Sequence, residues 1–191
     1  MHRQCCQTGI NSIAATHFAD SRHCAYTGSM DVLIDNIEAA DLQAVLELND
    51  SAVPNVNRID IQQLQWFCEK AIYFRVARKA GQILAFLIGL GPGIDYQSPN
   101  YQWFCARYRS FIYVDRVVVA GQARQSGLAS RLYDDFASTA ADNAEVMTCE
   151  VNIKPANETS MQFHLQRGFH LVGSQTTEAG KKSVALLEKE L

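Results

Sequence analysis

The chain has 191 residues, 48% of them hydrophobic, and a formal net charge of −3. That length and apolar content support one domain with a sizeable core, while the acidic balance supplies no basic field for nucleic acid. No segment holds the roughly 20 consecutive apolar residues that cross a bilayer, and polar residues stand where a secretion signal needs an apolar core. The expectation is a soluble, cytoplasmic protein with neither nucleic acid nor membrane as partner.

Six cysteines are present. Cys68, Cys105 and Cys149 stand singly in apolar or aromatic stretches, where a reduced Cys serves as a small hydrophobe. Cys5, Cys6 and Cys24 lie near His17 and His23, but there is no CxxC pair and the spacings fit no compact zinc site, so no metal is expected. Asn49 with Ser51 and Asn157 with Thr159 match glycosylation sequons and are read as chance matches.

Residues 1–29 show neither helical nor strand periodicity and read as a loose extension before a single domain over 30–191. Met30 stands directly before the first periodic segment, which makes it an alternative natural start. Val32 to Ile37 reads as a short strand, and Ala39 to Leu48, with Leu42, Val45, Leu46 and Leu48 apolar, as an amphipathic helix. A loop containing Pro54 follows, then a helix with Ile61, Leu64, Phe67, Cys68 and Ala71 at helical spacing. Ile72 to Ala77 and Ile83 to Leu90 are strands joined by a turn at Lys79–Gln82. Ile94 to Arg109, with four Tyr or Trp residues and no clear period, reads as a long loop with a helical turn, either lining a ligand pocket or packing its rings beneath itself.

The most informative stretch is Ser110 to Phe136. Phe111 to Val119 is a β-branched and aromatic strand, Gly121 to Gly127 a polar loop, and Leu128, Leu132 and Phe136 recur with the spacing of a helix. A strand, a Gly loop and a helix N-terminus converge free backbone N–H groups on one point and favour an anion there, most simply a phosphate. Gly127 lets the backbone approach such a group and adopt positive φ. Glu145 to Ile153 is the next strand, with Thr148, Glu150 and Asn152 on one face and Cys149, Val151 and Ile153 on the other. Thr159 to Gln166 is a short helix ended by Gly168, and Phe169 to Thr176 and Ser183 to Glu190 are closing strands. The sum is a mixed α/β domain of about seven strands and four helices.

This order of elements and two motifs resemble the GNAT superfamily of acetyl-CoA-dependent N-acetyltransferases. The family's pyrophosphate loop, Q/R-x-x-G-x-G/A, is matched by Arg124, Gln125, Ser126, Gly127, Leu128 and Ala129. Its downstream Asn, short helix and Gly-Phe pair are matched by Asn157, the helix through Leu165, and Gly168 with Phe169. The resemblance covers Val32 to Leu191. It implies a fourth and fifth strand that splay apart around the thioester, with Val117, Val118 and Val119 holding the pantetheine arm, Arg124 to Ala129 the pyrophosphate, and Asn157 touching the CoA arm. Asp115, Glu150 and Asn152 would border the reaction centre.

Acyl transfer to an amine needs a group to take the ammonium proton and a donor for the departing thiolate. Glu150 is the candidate base and Asp115 its rival; Arg116, on the other face of a regular strand, is not an obvious partner for Asp115. Many members of the family carry a Tyr as donor four residues before the Gly of Gly-Phe. Here that position is His164, whose imidazolium could serve, with Tyr113 and Tyr133 as substitutes. Three functions are compatible with these residues: an N-acetyltransferase acting on a small amine or amino acid in a ternary complex, a non-catalytic acyl-CoA-binding module, and a structural or dimerising protein. The sequence leaves the oligomeric state open, dimers being common in the family.

Overall fold

Seven strands form one mixed sheet in the order β1-β2-β3-β4-β5-β7-β6. The computed structural model describes residues 31–140, 144–177 and 180–191. The readings for residues 1–29, with Cys5, Cys6, Cys24, His17, His23 and Met30, lie outside the described residues. The strands are β1 (Leu33–Asn36), β2 (Tyr73–Lys79), β3 (Gln82–Leu90), β4 (Phe111–Val119), β5 (Val146–Lys154), β6 (His170–Thr177) and β7 (Lys182–Glu190). The helices are α1 (Leu42–Ser51), α2 (Ile61–Lys70), α3 (Pro99–Cys105), α4 (Leu128–Ala140) and α5 (Glu158–Gln166). The β4–β5 pair is parallel, and every other pair among the described strands is antiparallel.

Alternation along the strands sends side chains to two cores, one on each face. On one face α4 lays down Leu128, Leu132, Phe136 and Ala140, all buried, against Tyr73, Leu87, Ile112 and Met147. The four-residue spacing that predicted this helix is the spacing of its buried stripe. Gly89 on β3 permits the close approach, since a Cβ there would lie 2.2 Å from Phe136 Cζ. On the other face Val45 of α1, Leu64 and Phe67 of α2, and Tyr101 and Phe104 of α3 cover Phe86, Ile88, Tyr113 and Leu186. Each such side chain, taken fully out of water, contributes about 1.5–3 kcal/mol.

α3 replaces the long loop expected over Ile94–Arg109. Ser98 accepts from the backbone N–H of Tyr101 and Pro99 opens the first turn, both favourable at a helix N-terminus. The helix is only seven residues long, so its buried pair Tyr101 and Phe104 gives one i, i+3 contact and no repeat from which to read a period. The cysteine reading also needs correction. All three described cysteines are free, but only Cys149 is buried, while Cys68 and Cys105 are exposed. Among the described residues no helix is long and apolar enough to cross a membrane.

Candidate active site

β4 and β5 pair only from Phe111–Val114 with Val146–Cys149. Beyond that point β4 stays with β3 as far as Val119, and β5 stays with β7 as far as Lys154. The two strands therefore part in the middle of the sheet, and the opening leads into a cavity of about 2000 Å³. Strand ends facing such a gap offer backbone N–H and C=O groups that no neighbouring strand uses.

At one end of the cavity lies the loop between β4 and α4. Val117, Val118, Val119, Arg124, Gln125, Gly127, Leu128 and Ala129 all line it. Ser126 instead turns its hydroxyl back onto the carbonyl of Ala123, at 2.5 Å. Gln125 (φ 60°) and Gly127 (φ 80°) both hold left-handed backbone, which turns the loop sharply into the first turn of α4. A Cβ on Gly127 would meet no atom within 4 Å, so the glycine answers to its positive φ and to the open space beside it, not to a packed neighbour. The N–H groups of the first turn of α4 have no acceptor within the helix and add the positive end of its dipole. Asn157 also lines the cavity, with its Oδ1 accepting the N–H of Ser160 at 3.1 Å to cap α5; its amide nitrogen is the group left for a ligand.

At the other end the two candidate carboxylates meet different surroundings. Glu150 accepts from Tyr113 Oη at 2.6 Å and from Asn100 Nδ2 at 3.0 Å. Burial pushes its pKa up to about 7, the charge of Asp115 pushes the same way, and the hydrogen bonds from Tyr113 and Asn100 and the charge of Lys182 pull it down. Tyr113, itself fully buried, is held well above the ordinary phenol value by burial and the neighbouring carboxylate. Glu150 is thus a carboxyl whose proton is in play near neutrality, with one hydrogen-bond donor on each oxygen.

Asp115 accepts from Tyr96 Oη at 2.6 Å and from Arg116 Nε at 2.7 Å. This corrects the expectation that Arg116 points away from it. The register of β3 on β4 runs Ile88↔Arg116 and then Gly89↔Val114, leaving Asp115 without a partner residue. That β-bulge slips the alternation by one position. Val114 and Val117 face the α4 core while Asp115 and Arg116 turn to the same opposite side. A bulge is a property of strand pairing and leaves no mark in the nine residues of the strand itself.

His164 is buried, 3% exposed. Its Nδ1 lies 2.7 Å from the carbonyl of Ser160, which can only accept, so Nδ1 carries the proton; Nε2 then accepts from Tyr133 Oη at 2.8 Å. Burial, offset in part by the bond to Ser160 and reinforced by the charge of Arg167, lowers the imidazole pKa to about 4. The ring is neutral at working pH, unlike the imidazolium expected from the sequence. The hydroxyl beside it belongs to Tyr133 on α4, and both residues line the cavity. Trp66 of α2 and Asn100 of α3 were not singled out in the sequence, whereas Tyr96, in the loop before α3, belongs to the aromatic stretch read as lining a pocket or packing beneath itself. They reach the cavity only because helices distant in sequence fold over the sheet.

Known structures share this architecture at low identity. Ard1 from Thermoplasma volcanium matches with a TM-score of 0.68 and 15% identity over 84% of this chain and 97% of that one. The ribosomal-protein-S18-alanine N-acetyltransferase from Escherichia coli gives 0.64 and 13% over 84% and 94%. yncA from Salmonella typhimurium, solved with its cofactor acetyl-CoA, gives 0.64 and 15%, again over 84% and 94%. A search of curated protein sequences finds no match. At these identities the structures show the fold. The family model described as "Acetyltransferase (GNAT) domain" matches residues 51–186, from the end of α1 into β7, and the chain belongs to that family.

Proposed function

We propose that the protein is an N-acetyltransferase that transfers the acetyl group of acetyl-CoA to a primary amine, a small amine or amino acid, by direct attack in a ternary complex. The observation that carries this reading is Glu150, a half-buried carboxyl with a pKa of about 7, set on β5 just past the point where β4 leaves it. Residues of the phosphate-type loop line the same cavity, and yncA, a relative by fold, holds acetyl-CoA. When bound, acetyl-CoA supplies the activated acyl group.

The chain supplies position and proton transfer. Arg124 to Ala129 would hold the pyrophosphate, Val117 to Val119 the pantetheine arm, and Asn157 the same arm through its free amide nitrogen. Glu150 takes a proton from the acceptor's ammonium, directly or through a water, so that the free amine attacks the thioester carbon. The C–N bond forms, the nitrogen gives up its second proton to water and the C–S bond breaks, while the Tyr133 hydroxyl turns from His164 Nε2 to give its phenolic proton to the departing sulfur and recovers one from solvent. Before that turn neutral His164 accepts from the Tyr133 hydroxyl and holds it at the cavity. Two reactants held side by side avoid the entropy of encounter, which can supply about 7–11 kcal/mol of the barrier.

The test is a calorimetric titration with acetyl-CoA followed by an amine library read for free thiol. Binding with thiol release on one class of amine is the expected result. Binding without release on any amine would point to a non-catalytic acyl-CoA-binding module, and absence of binding would remove the whole reading.

A further inference from the structure

The ion pair at the β4 bulge has more partners than packing requires. Arg116 is 7% exposed and donates to Asp115, to Asn49 Oδ1 at 2.9 Å and to the carbonyl of Asn57 at 3.1 Å. Asn49, fully buried on α1, returns a bond from its Nδ2 to the same carbonyl at 3.2 Å. On the other side Asp115 accepts from Tyr96, whose ring stacks on Trp66 with centroids 5.4 Å apart. Asn57 and Tyr96 lie in two separate segments, one between α1 and α2 and one before α3, and both line the cavity at the Glu150 end.

We infer that Asp115 and Arg116 form a clasp that joins the two walls of the acceptor pocket, and that Asp115 is a positioning residue which sets acceptor affinity. The bulge makes the clasp possible, because only a slipped alternation puts adjacent residues on one side of a strand. Each half of the pair reaches one wall: Arg116 takes the 55–58 segment through Asn57 and Asn49, and Asp115 takes the 94–98 segment through Tyr96. Both oxygens of Asp115 are engaged, Oδ1 by Tyr96 and Oδ2 by Arg116, whereas Glu150 is bound only by neutral donors. A charge-paired carboxylate holds a wall well and accepts a substrate proton poorly. The kinetic half of this inference rests on the acetyltransferase reading above; the structural half does not.

Removing one charge would strand the other in a buried site, so the test uses Asp115→Asn/Arg116→Gln together, with Tyr96→Phe as a second variant that leaves the ion pair intact. Hydrogen exchange read by mass spectrometry should show segments 55–58 and 94–98 exchanging at least tenfold faster in the double variant, and 94–98 alone in Tyr96→Phe. In steady state both variants should raise the amine KM about tenfold. Acetyl-CoA affinity should stay at the wild-type value in both variants, as should the pH midpoint of kcat in Tyr96→Phe. The double variant removes the Asp115 charge beside Glu150 and should move that midpoint down. Unchanged exchange in folded variants would overturn the clasp. A lost kcat in either variant, or a moved pH midpoint in Tyr96→Phe, with KM unaltered would overturn the positioning role and return Asp115 to the list of bases. If wild-type protein turns over no amine, the exchange data still decide the clasp, and the catalytic reading falls separately.

Discussion

Glu150 and His164 have the same cause acting on opposite charges. Burial disfavours the charged form of both, so the acid moves up to about 7 and the base down to about 4. For a base, that means kcat/KM should rise with pH through a midpoint near 7, and Glu150→Gln should lower kcat by about 10²–10⁴-fold while leaving acetyl-CoA affinity intact. A fully active Glu150→Gln enzyme would refute the assignment. The same shifts act on stability. His164 titrates near 6.5 when unfolded and near 4 when folded, so its contribution is present above about 6.5 and lost as pH falls through 4. Glu150 titrates near 4.5 unfolded and near 7 folded, so its contribution is present below about 4.5 and lost as pH rises through 7. Between 4.5 and 6.5 the two oppose each other, each with a slope approaching about 1.4 kcal/mol per pH unit. Relative to wild type, Glu150→Gln should therefore grow more stable with rising pH across that window and His164→Gln less stable. Urea denaturation at half-unit pH steps reads both slopes, and equal slopes in the two variants would contradict the environments described.

At the scale of elements, the loop from Gly121 into α4 is proposed to hold the pyrophosphate through backbone, so its side chains need only stay out of the way. Gly127→Glu places bulk and negative charge beside the first turn of α4 and should abolish acetyl-CoA binding in calorimetry. Gly127→Ala separates the causes. It shares the strain of a positive φ, roughly 1–2 kcal/mol, but its Cβ meets no protein atom and adds no charge, so the fold should persist and binding weaken less than in Gly127→Glu. Retained affinity in a folded Gly127→Glu protein would move the pyrophosphate elsewhere. β5 shows how an element can be read correctly in outline: the alternation of Thr148, Glu150 and Asn152 against Cys149 and Val151 is observed, with Thr148 bonded to the carbonyl of Ile112 and Asn152 to that of Asn55. β4 shows where alternation fails, at the single unpaired residue Asp115.

For the molecule as a whole, the cavity lies between the two halves of the sheet, so a ligand that fills it ties β1–β4 to β5–β7. Acetyl-CoA at a hundred times its Kd should stabilise the fold by about 2.7 kcal/mol and raise Tm by roughly 5–10 °C for a chain of this size. A thermal melt with and without ligand checks it, and an unshifted Tm at saturating concentration would speak against binding to the native state.

Periodicity alone determined the strands, four of the five helices and the face on which Glu150 lies, because each depends on spacing along a few residues. Short range also set the left-handed turn at Gly127. The rest was decided only by tertiary structure. α3 is too short to show a period and needs its capping Ser98 and its buried rings; the Asp115–Arg116 clasp depends on how β4 registers against β3. The neutral state of His164 follows from burial that the bond to Ser160 only partly offsets, and the raised pKa of Glu150 from burial that the bonds from Asn100 and Tyr113, fifty and thirty-seven positions away, only partly offset. Charge state is a property of surroundings, and surroundings exist only once distant segments have folded together.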